Sequence, residues 1–171
     1  PLTAEGKKTA AFEICEQLQA ACNPGTKMNR WLAPDRVFVP VGDGNIISGL
    51  HKGFSDLLQL GWIDQMPRLT GVQAEGSAAI ATAFHAGSED IGHVTATTVA
   101  DSLASDRPSD GHRAIKAARD TKGDYVVVTD AAILAAMAEL SRDTGVFAEP
   151  AAAATYAGLL QMAKKDVILP H

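Results

Sequence analysis

A mainly parallel β-sheet covered by helices, an α/β fold, is what this sequence predicts, and three observations carry the prediction. Arg36-Val-Phe-Val-Pro-Val41 and Tyr125-Val-Val-Val128 are short, dense apolar runs, as a strand needs when both its faces are buried. Between the first run and a second strand, Arg68-Leu-Thr-Gly-Val-Gln73, lie a glycine turn and a segment with its apolar residues on one helical face, so the order is that of a βαβ unit. The 171 residues are 46% hydrophobic and 20% charged, which gives one globular unit enough apolar side chain for a sizeable core and excludes a disordered chain.

The first element is a helix from Ala4 to about Ala21, with Ala11, Ile14, Cys15, Leu18 and Cys22 at spacings of three and four. Cys15 and Cys22 then share a face about 10 Å apart, beyond disulfide reach, and are expected as free thiols. Asn23 to Arg30 carries turn chemistry at Asn-Pro-Gly and reads as a surface loop. After the strand at Arg36–Val41 and the turn Gly42-Asp-Gly-Asn45, a helix runs over Ile46–Leu60 with Ile47, Leu50, Phe54, Leu57 and Leu58 facing inward. The strand Arg68–Gln73 and a short helix from Ser77 to about His85 follow. Ala86 to Pro108 has no sustained period and reads as an exposed connection, with a helical turn or two at Thr98–Leu103. Gly111–Arg119 is helical, Tyr125–Val128 is a strand, Asp130 is placed as N-cap of a helix running to about Arg142, and Glu149-Pro150 opens a last helix over Ala151–Lys164.

Fifteen Lys and Arg against twenty Asp and Glu give a net charge of -5, dispersed along the chain, which excludes a nucleic-acid or membrane footprint. No apolar stretch reaches the roughly 20 residues a bilayer requires, and Pro1–Lys8 has no hydrophobic signal core, so a cytoplasmic protein is expected. The five histidines have no metal-site spacing, and no metal is expected.

The chemistry lies in Val39-Pro-Val-Gly-Asp-Gly-Asn-Ile-Ile-Ser-Gly49. A glycine turn from a buried strand into a helix presents bare backbone N–H groups and the positive end of the helix dipole, a ready place for a phosphate. The glycines at 42, 44 and 49 do not match the dinucleotide fingerprint, and no Gly-Lys-Ser/Thr follows as in a nucleotide-triphosphate loop. The pattern leaves two readings open, an anion site or a tight turn needing positive φ at Gly42 and Gly44.

The segments Glu5-Gly-Lys-Lys-Thr-Ala-Ala-Phe-Glu-Ile-Cys-Glu-Gln-Leu18, Ala33-Pro-Asp35, Val39–Ile46, Gly71-Val-Gln-Ala-Glu-Gly76, Ala96-Thr-Thr-Val-Ala-Asp-Ser102 and Gly145-Val-Phe-Ala-Glu-Pro-Ala-Ala152 resemble, in the same order, segments of the threonine synthase family. The resemblance runs from Glu5 to Lys164. It implies the three-layer, tryptophan synthase β-like fold of type II pyridoxal phosphate enzymes, and a lyase that turns O-phosphohomoserine and water into threonine and phosphate. It also implies that Gly42, Asp43, Gly44, Asn45 and Ile46 cradle the 5'-phosphate of pyridoxal 5'-phosphate through backbone amides. Many relatives have Asn-Gly where this chain has Asp43-Gly44, and the acid is tolerable only if its side chain points away. Ala74 and Glu75, at the end of the second strand, are expected at the substrate cleft, since ligands sit beyond the carboxyl ends of such strands.

None of the chain's lysines stands in the family's Schiff-base motif, and a closing Thr-Gly-x-Gly-Leu-Lys strand is absent. Residues 1–171 therefore resemble a single α/β region from the carboxy-terminal part of a larger enzyme, without catalysis of its own. The implied partners are an amino-acid substrate, the amino-terminal half of the enzyme and, as one option, a second copy in a homodimer. The alternatives are a cysteine or cysteate synthase-like β-replacement enzyme, a threonine dehydratase, or a phosphate-binding module without catalysis. Thr97, Thr98 and Ser102 are weighed as substrate hydroxyls or helix caps, and Glu149 is left without a role.

Overall fold

The structure, a computed structural model, describes residues 2–25 and 30–165. The middle of the expected loop at 23–30 and the apolar run at 168–171 lie outside the described residues. In chain order the elements are α1 (Leu2–Lys7), α2 (Thr9–Cys22), β1 (Arg36–Pro40), α3 (Asn45–Gln59), β2 (Arg68–Ala74), α4 (Ala79–Ala86), α5 (Gly111–Asp120), β3 (Asp124–Val128), α6 (Asp130–Thr144) and α7 (Pro150–Lys164). Single 3-10 turns occur at Glu75–Ser77 and Asp101–Leu103.

The strands form a parallel sheet in the order β1-β2-β3, with Arg36 opposite Arg68 and Gly71 opposite Tyr125. Successive side chains of a strand point to opposite faces, and here each face has its own helical cover. Val39, Leu69 and Tyr125 enter a core with Ala11 and Cys15 of α2, Ile47, Leu50, Phe54 and Leu57 of α3, Ile80 of α4, and Ile115 of α5. Val72, Ala74, Val126 and Val128 enter a second core with Ile133 and Ala136 of α6 and Ala151, Ala154, Ala157 and Met162 of α7. The sheet is thus the middle of three layers, as expected.

Several boundaries and roles differ from the sequence reading. The first helix is divided at Lys8, the junction between α1 and α2. Its buried line continues through Ala11, Cys15 and Gln19 at a strict spacing of four, so Cys22 in the last turn is exposed while Cys15 is fully buried. Both thiols are free, and burial pushes the Cys15 thiol up to about 11. Leu58 is 38% exposed, because the inward stripe of α3 is only as wide as Ile47, Leu50, Phe54 and Leu57. The N-cap of α6 is Thr129, whose hydroxyl accepts from the Ala132 amide at 3.2 Å. Asp130 instead accepts from Thr98 Oγ1 at 2.5 Å and the Val99 amide at 3.1 Å, and so pins the long connection to α6. That connection is irregular, as its weak periodicity predicts.

Gly71 shows how closely the central strand is packed. A Cβ there would lie 2.3 Å from Cε1 of Tyr125, whose ring is buried against Phe84. Overpacking of this kind costs about 1–3 kcal/mol. Gly71→Ala is therefore expected to lower the thermal unfolding midpoint measured by circular dichroism; an unchanged or raised midpoint contradicts the packing described.

Candidate functional site

In a parallel sheet the crossover helices run back against the strands, so their amino ends gather at the carboxyl edge of the sheet. β1 runs into Val41, whose amide still donates to Val72 O at 2.9 Å, and Gly42 to Gly44 then turn the chain into α3. Gly44 is the N-cap of α3 with φ +91°, a left-handed value that disfavours any residue with a Cβ. A Cβ on Gly44 would also lie 2.9 Å from Asp110 O and 2.8 Å from Ala114 Cβ. Gly42 does not have the positive φ expected of it; its role is close approach, since a Cβ there would stand 3.0 Å from Ser102 O.

The helix begun here has no side-chain cap. Its first internal bond is Ser48 N–H to Gly44 O at 3.2 Å, so the amides of Asn45, Ile46 and Ile47 precede the intrahelical ladder. A pocket of about 210 Å³ adjoins this helix end, lined by Gly42, Asp43, Gly44, Asn45 and Ile46. The opposite wall is Glu149, Ala151 and Ala152, the beginning of α7, which also lacks a side-chain cap; Ser102, Leu103 and Lys7 complete the lining. Two uncapped helix N-termini of 15 residues each therefore share one pocket. Each carries a partial positive charge of roughly +0.5 from its aligned peptide dipoles. Such an arrangement suits a small dianion with several acceptor oxygens, and the fit to a phosphate monoester rests on these backbone groups.

Asp43 does not oppose that charge in the way its position in the loop suggests. Its carboxylate accepts from Ser105 Oγ at 2.8 Å and from the Ser109 amide at 3.3 Å, and its carbonyl accepts from the Asp110 amide at 2.9 Å. The side chain is committed to the segment 105–110, and the loop is latched there. Ser77 strengthens the same wall, its hydroxyl donating to Leu103 O at 2.9 Å and accepting from the Ser105 amide at 3.1 Å.

The other residues singled out from the sequence are placed differently. Ala74 is fully buried in the second core and Glu75 is exposed in the 3-10 turn that follows; neither lines this pocket. Of the three hydroxyl residues weighed, Ser102 lines the pocket while Thr98 is engaged by Asp130. Glu149, left without a role by the sequence, lines the pocket, and so does Lys7, which the sequence places on a polar surface. Glu149 is the N-cap of α7, with Pro150 at its first helical position, as the sequence predicts. No group of three or more His, Cys, Asp or Glu is placed to hold a metal ion among the described residues, and no described helix is long and apolar enough to cross a membrane.

Comparison with known proteins decides the family. The family model described as pyridoxal-phosphate dependent enzyme matches residues 1–169. This chain belongs to that family. Pyridoxal phosphate is the family's cofactor, and the uncapped pocket above offers backbone donors suited to its phosphate. The threonine synthase of Methanocaldococcus jannaschii is 37% identical over 169 residues, 98% of this chain and 39% of that protein. The threonine synthase of Mycobacterium bovis is 38% identical over 161 residues, 94% of this chain and again 39% of that protein. The chain thus spans well under half the length of the curated relatives it matches. Among solved structures, threonine deaminase isoform 2 of Solanum lycopersicum superposes with TM-score 0.70 at 22% identity over 96% of this chain and 42% of that one. Maize serine racemase does so with TM-score 0.66 at 23% identity over 96% and 45%. These two likenesses establish the type II fold.

A larger cavity of about 470 Å³ lies elsewhere, lined by His51, Lys52, Arg113 and Lys116 among others, but its cations are occupied. Lys52 pairs with Asp56 at 2.5 Å, Lys116 with Asp120 at 2.7 Å, and His51 Nε2 lies 3.4 Å from Asp120. Burial holds the His51 pKa below the ordinary 6.5; Asp120 pulls it up, and Lys116 pushes it further down. The unfolded chain therefore binds a proton at His51 before the folded one does. This destabilisation is absent above about pH 6.5 and grows as pH falls toward the lowered folded value. His51→Gln is expected to flatten the loss of stability to urea between about pH 7 and pH 5.5; an identical slope in both proteins contradicts this account.

Proposed function

We propose that this chain is the phosphate-gripping part of a threonine synthase-like lyase. In this reading the backbone amides of Gly42, Asp43, Gly44, Asn45 and Ile46 hold the 5'-phosphate of pyridoxal 5'-phosphate, and the whole protein converts O-phosphohomoserine and water to threonine and phosphate. The observation that carries the reading is the convergence of the uncapped amino ends of α3 and α7 on one pocket beside this loop. The similarity to threonine synthases over nearly the whole chain favours that reaction over others of the family.

When bound, the cofactor supplies an electron sink for charge developing on the substrate's carbon skeleton. The residues of this chain bind and orient. The loop amides donate to the phosphate and the two helix ends offset part of its charge, which suits a group held throughout turnover. Asp43, latched to Ser105 and Ser109, keeps the loop in the shape that aims those amides. Glu75, exposed just beyond the carboxyl end of the neighbouring strand, is assigned to the substrate cleft and not to the phosphate pocket; Ala74, buried in the second core, supports that strand end and reaches the cleft only through its backbone. The Schiff-base lysine is assigned to the amino-terminal half of the enzyme, so the 171-residue chain alone is expected to be inactive. That half, an amino-acid substrate and, as one option, a second copy in a homodimer are the proposed partners.

The test is product analysis on the whole enzyme loaded with pyridoxal phosphate. Equal amounts of threonine and inorganic phosphate from O-phosphohomoserine are expected. A keto acid formed from threonine, with no phosphate released from O-phosphohomoserine, would overturn the assignment in favour of a dehydratase.

A further inference from the structure

We propose that Lys7 supplies the mobile positive charge that closes the pocket on a phosphate monoester, a role that rests on reading the 42–46 loop as a phosphate grip. Three features of the structure support it.

The first is the charge of the lining. Lys7 is its one cation among the described residues, and the other ionisable groups there are the carboxyls of Asp43 and Glu149. The helix N-termini contribute only partial charges. A dianion placed between them thus has one full opposite charge to meet, on a flexible stem that carries it as a compact point charge with three donors.

The second is that Lys7 is free to serve. Lys8, its neighbour, is consumed by Glu5 and by Asp56, the latter at 3.2 Å. Lys7 is exposed and forms no ion pair among the described residues. The two lysines sit at the junction of α1 and α2 and leave it in different directions, one into a salt-bridge network and the other toward the pocket.

The third is that the position of Lys7 relative to the loop is set by close packing on the same helix that forms the loop. A Cβ on Gly49 would stand 2.8 Å from Lys7 Cβ and 2.9 Å from Ala4 O; one on Gly53 would stand 2.3 Å from Lys8 O. These two glycines, one turn apart on α3, let the α1–α2 junction lie directly against it. Gly49 is itself only four residues from Asn45, where α3 begins. The Lys7 backbone and the loop amides are therefore carried by one packed unit, and only the lysine stem is left to move.

A phosphate monoester here has two sources, the cofactor or a phosphorylated substrate, and the experiment separates them. The purified whole protein, stripped of cofactor, is titrated with pyridoxal 5'-phosphate and separately with pyridoxal, which lacks the phosphate. Wild type, Lys7→Gln, Lys7→Glu and Lys7→Arg are compared at low and high salt, with circular dichroism to confirm a common fold.

If the cofactor is the source, Lys7→Gln weakens pyridoxal 5'-phosphate binding by about tenfold, the scale of one charge-assisted hydrogen bond in a half-open site. Lys7→Glu weakens it further, Lys7→Arg restores most of it, pyridoxal binding is the same in all four, and the salt dependence becomes shallower when the charge is removed. If the substrate is the source, cofactor affinity is unchanged and the KM for O-phosphohomoserine rises about tenfold in Lys7→Gln with kcat preserved. Lys7 is excluded if wild type prefers pyridoxal 5'-phosphate over pyridoxal and every variant matches it in cofactor affinity, KM and salt dependence. A wild type that binds the two vitamers equally contradicts the reading of the loop itself, and the Lys7 role falls with it.

Discussion

The pocket depends on an electrostatic consequence of parallel topology. Because β1, β2 and β3 all run the same way, the helices that return the chain must point their amino ends at the carboxyl edge of the sheet. α3 is such a helix; α7 follows α6 and joins no two strands, and its amino end meets the same pocket through its packing against the sheet; neither end has a side-chain cap. The absence of a side-chain cap is not by itself distinctive, since α2, α4 and α5 lack one too, and Ile46 and Ala152 are exposed enough for water to serve such amides. What sets α3 and α7 apart is that their amino ends share one pocket, and this supports the anion reading.

A ready donor set is useful only if it is held still, and much of the irregular polypeptide here serves that purpose. The connection between α4 and α5 looks like a surface loop by composition, yet it is fastened at both ends of its inner stretch. Asp130 takes Thr98 and Val99, Ser77 bridges Leu103 and Ser105, and Asp43 takes Ser105 and Ser109. Its backbone at Ser102 and Asp110 then forms the surface against which Gly42 and Gly44 press, each too close for a side chain. The glycines of the loop are thus explained as much by what lies behind them as by the pocket in front.

The sheet and most helices were legible in the sequence because burial on two faces and amphipathic periodicity leave strong local patterns, as at Tyr125–Val128 and Ile47–Leu57. The loop was legible as an anion candidate because it joins a buried strand to a helix N-terminus, but the sequence left a tight turn equally open. What could not be read is everything that depends on contact between distant segments. Asp43 looked like a charge in the wrong place, and its partners at 105 and 109 are sixty residues away in sequence. Asp130 looked like a cap because Asp commonly is one, but Thr129 takes that role and frees it to bind the connection. Lys7 looked like a surface lysine, since nothing local reveals that Gly49 and Gly53 bring α1 onto the helix that opens the pocket. The family resemblance, carried by short motifs spread along the chain, was confirmed by a family match over residues 1–169.

The central claim, that the amino ends of α3 and α7 jointly receive one phosphate, is tested most directly by amide chemical shifts. In a titration of the isotope-labelled whole protein with pyridoxal 5'-phosphate, the amides of Gly42 to Ile47 and of Ala151 and Ala152 should shift together with a single saturation curve. Pyridoxal at the same concentrations should leave both groups largely unmoved. Shifts confined to one helix end, or equal shifts with pyridoxal, would contradict the account.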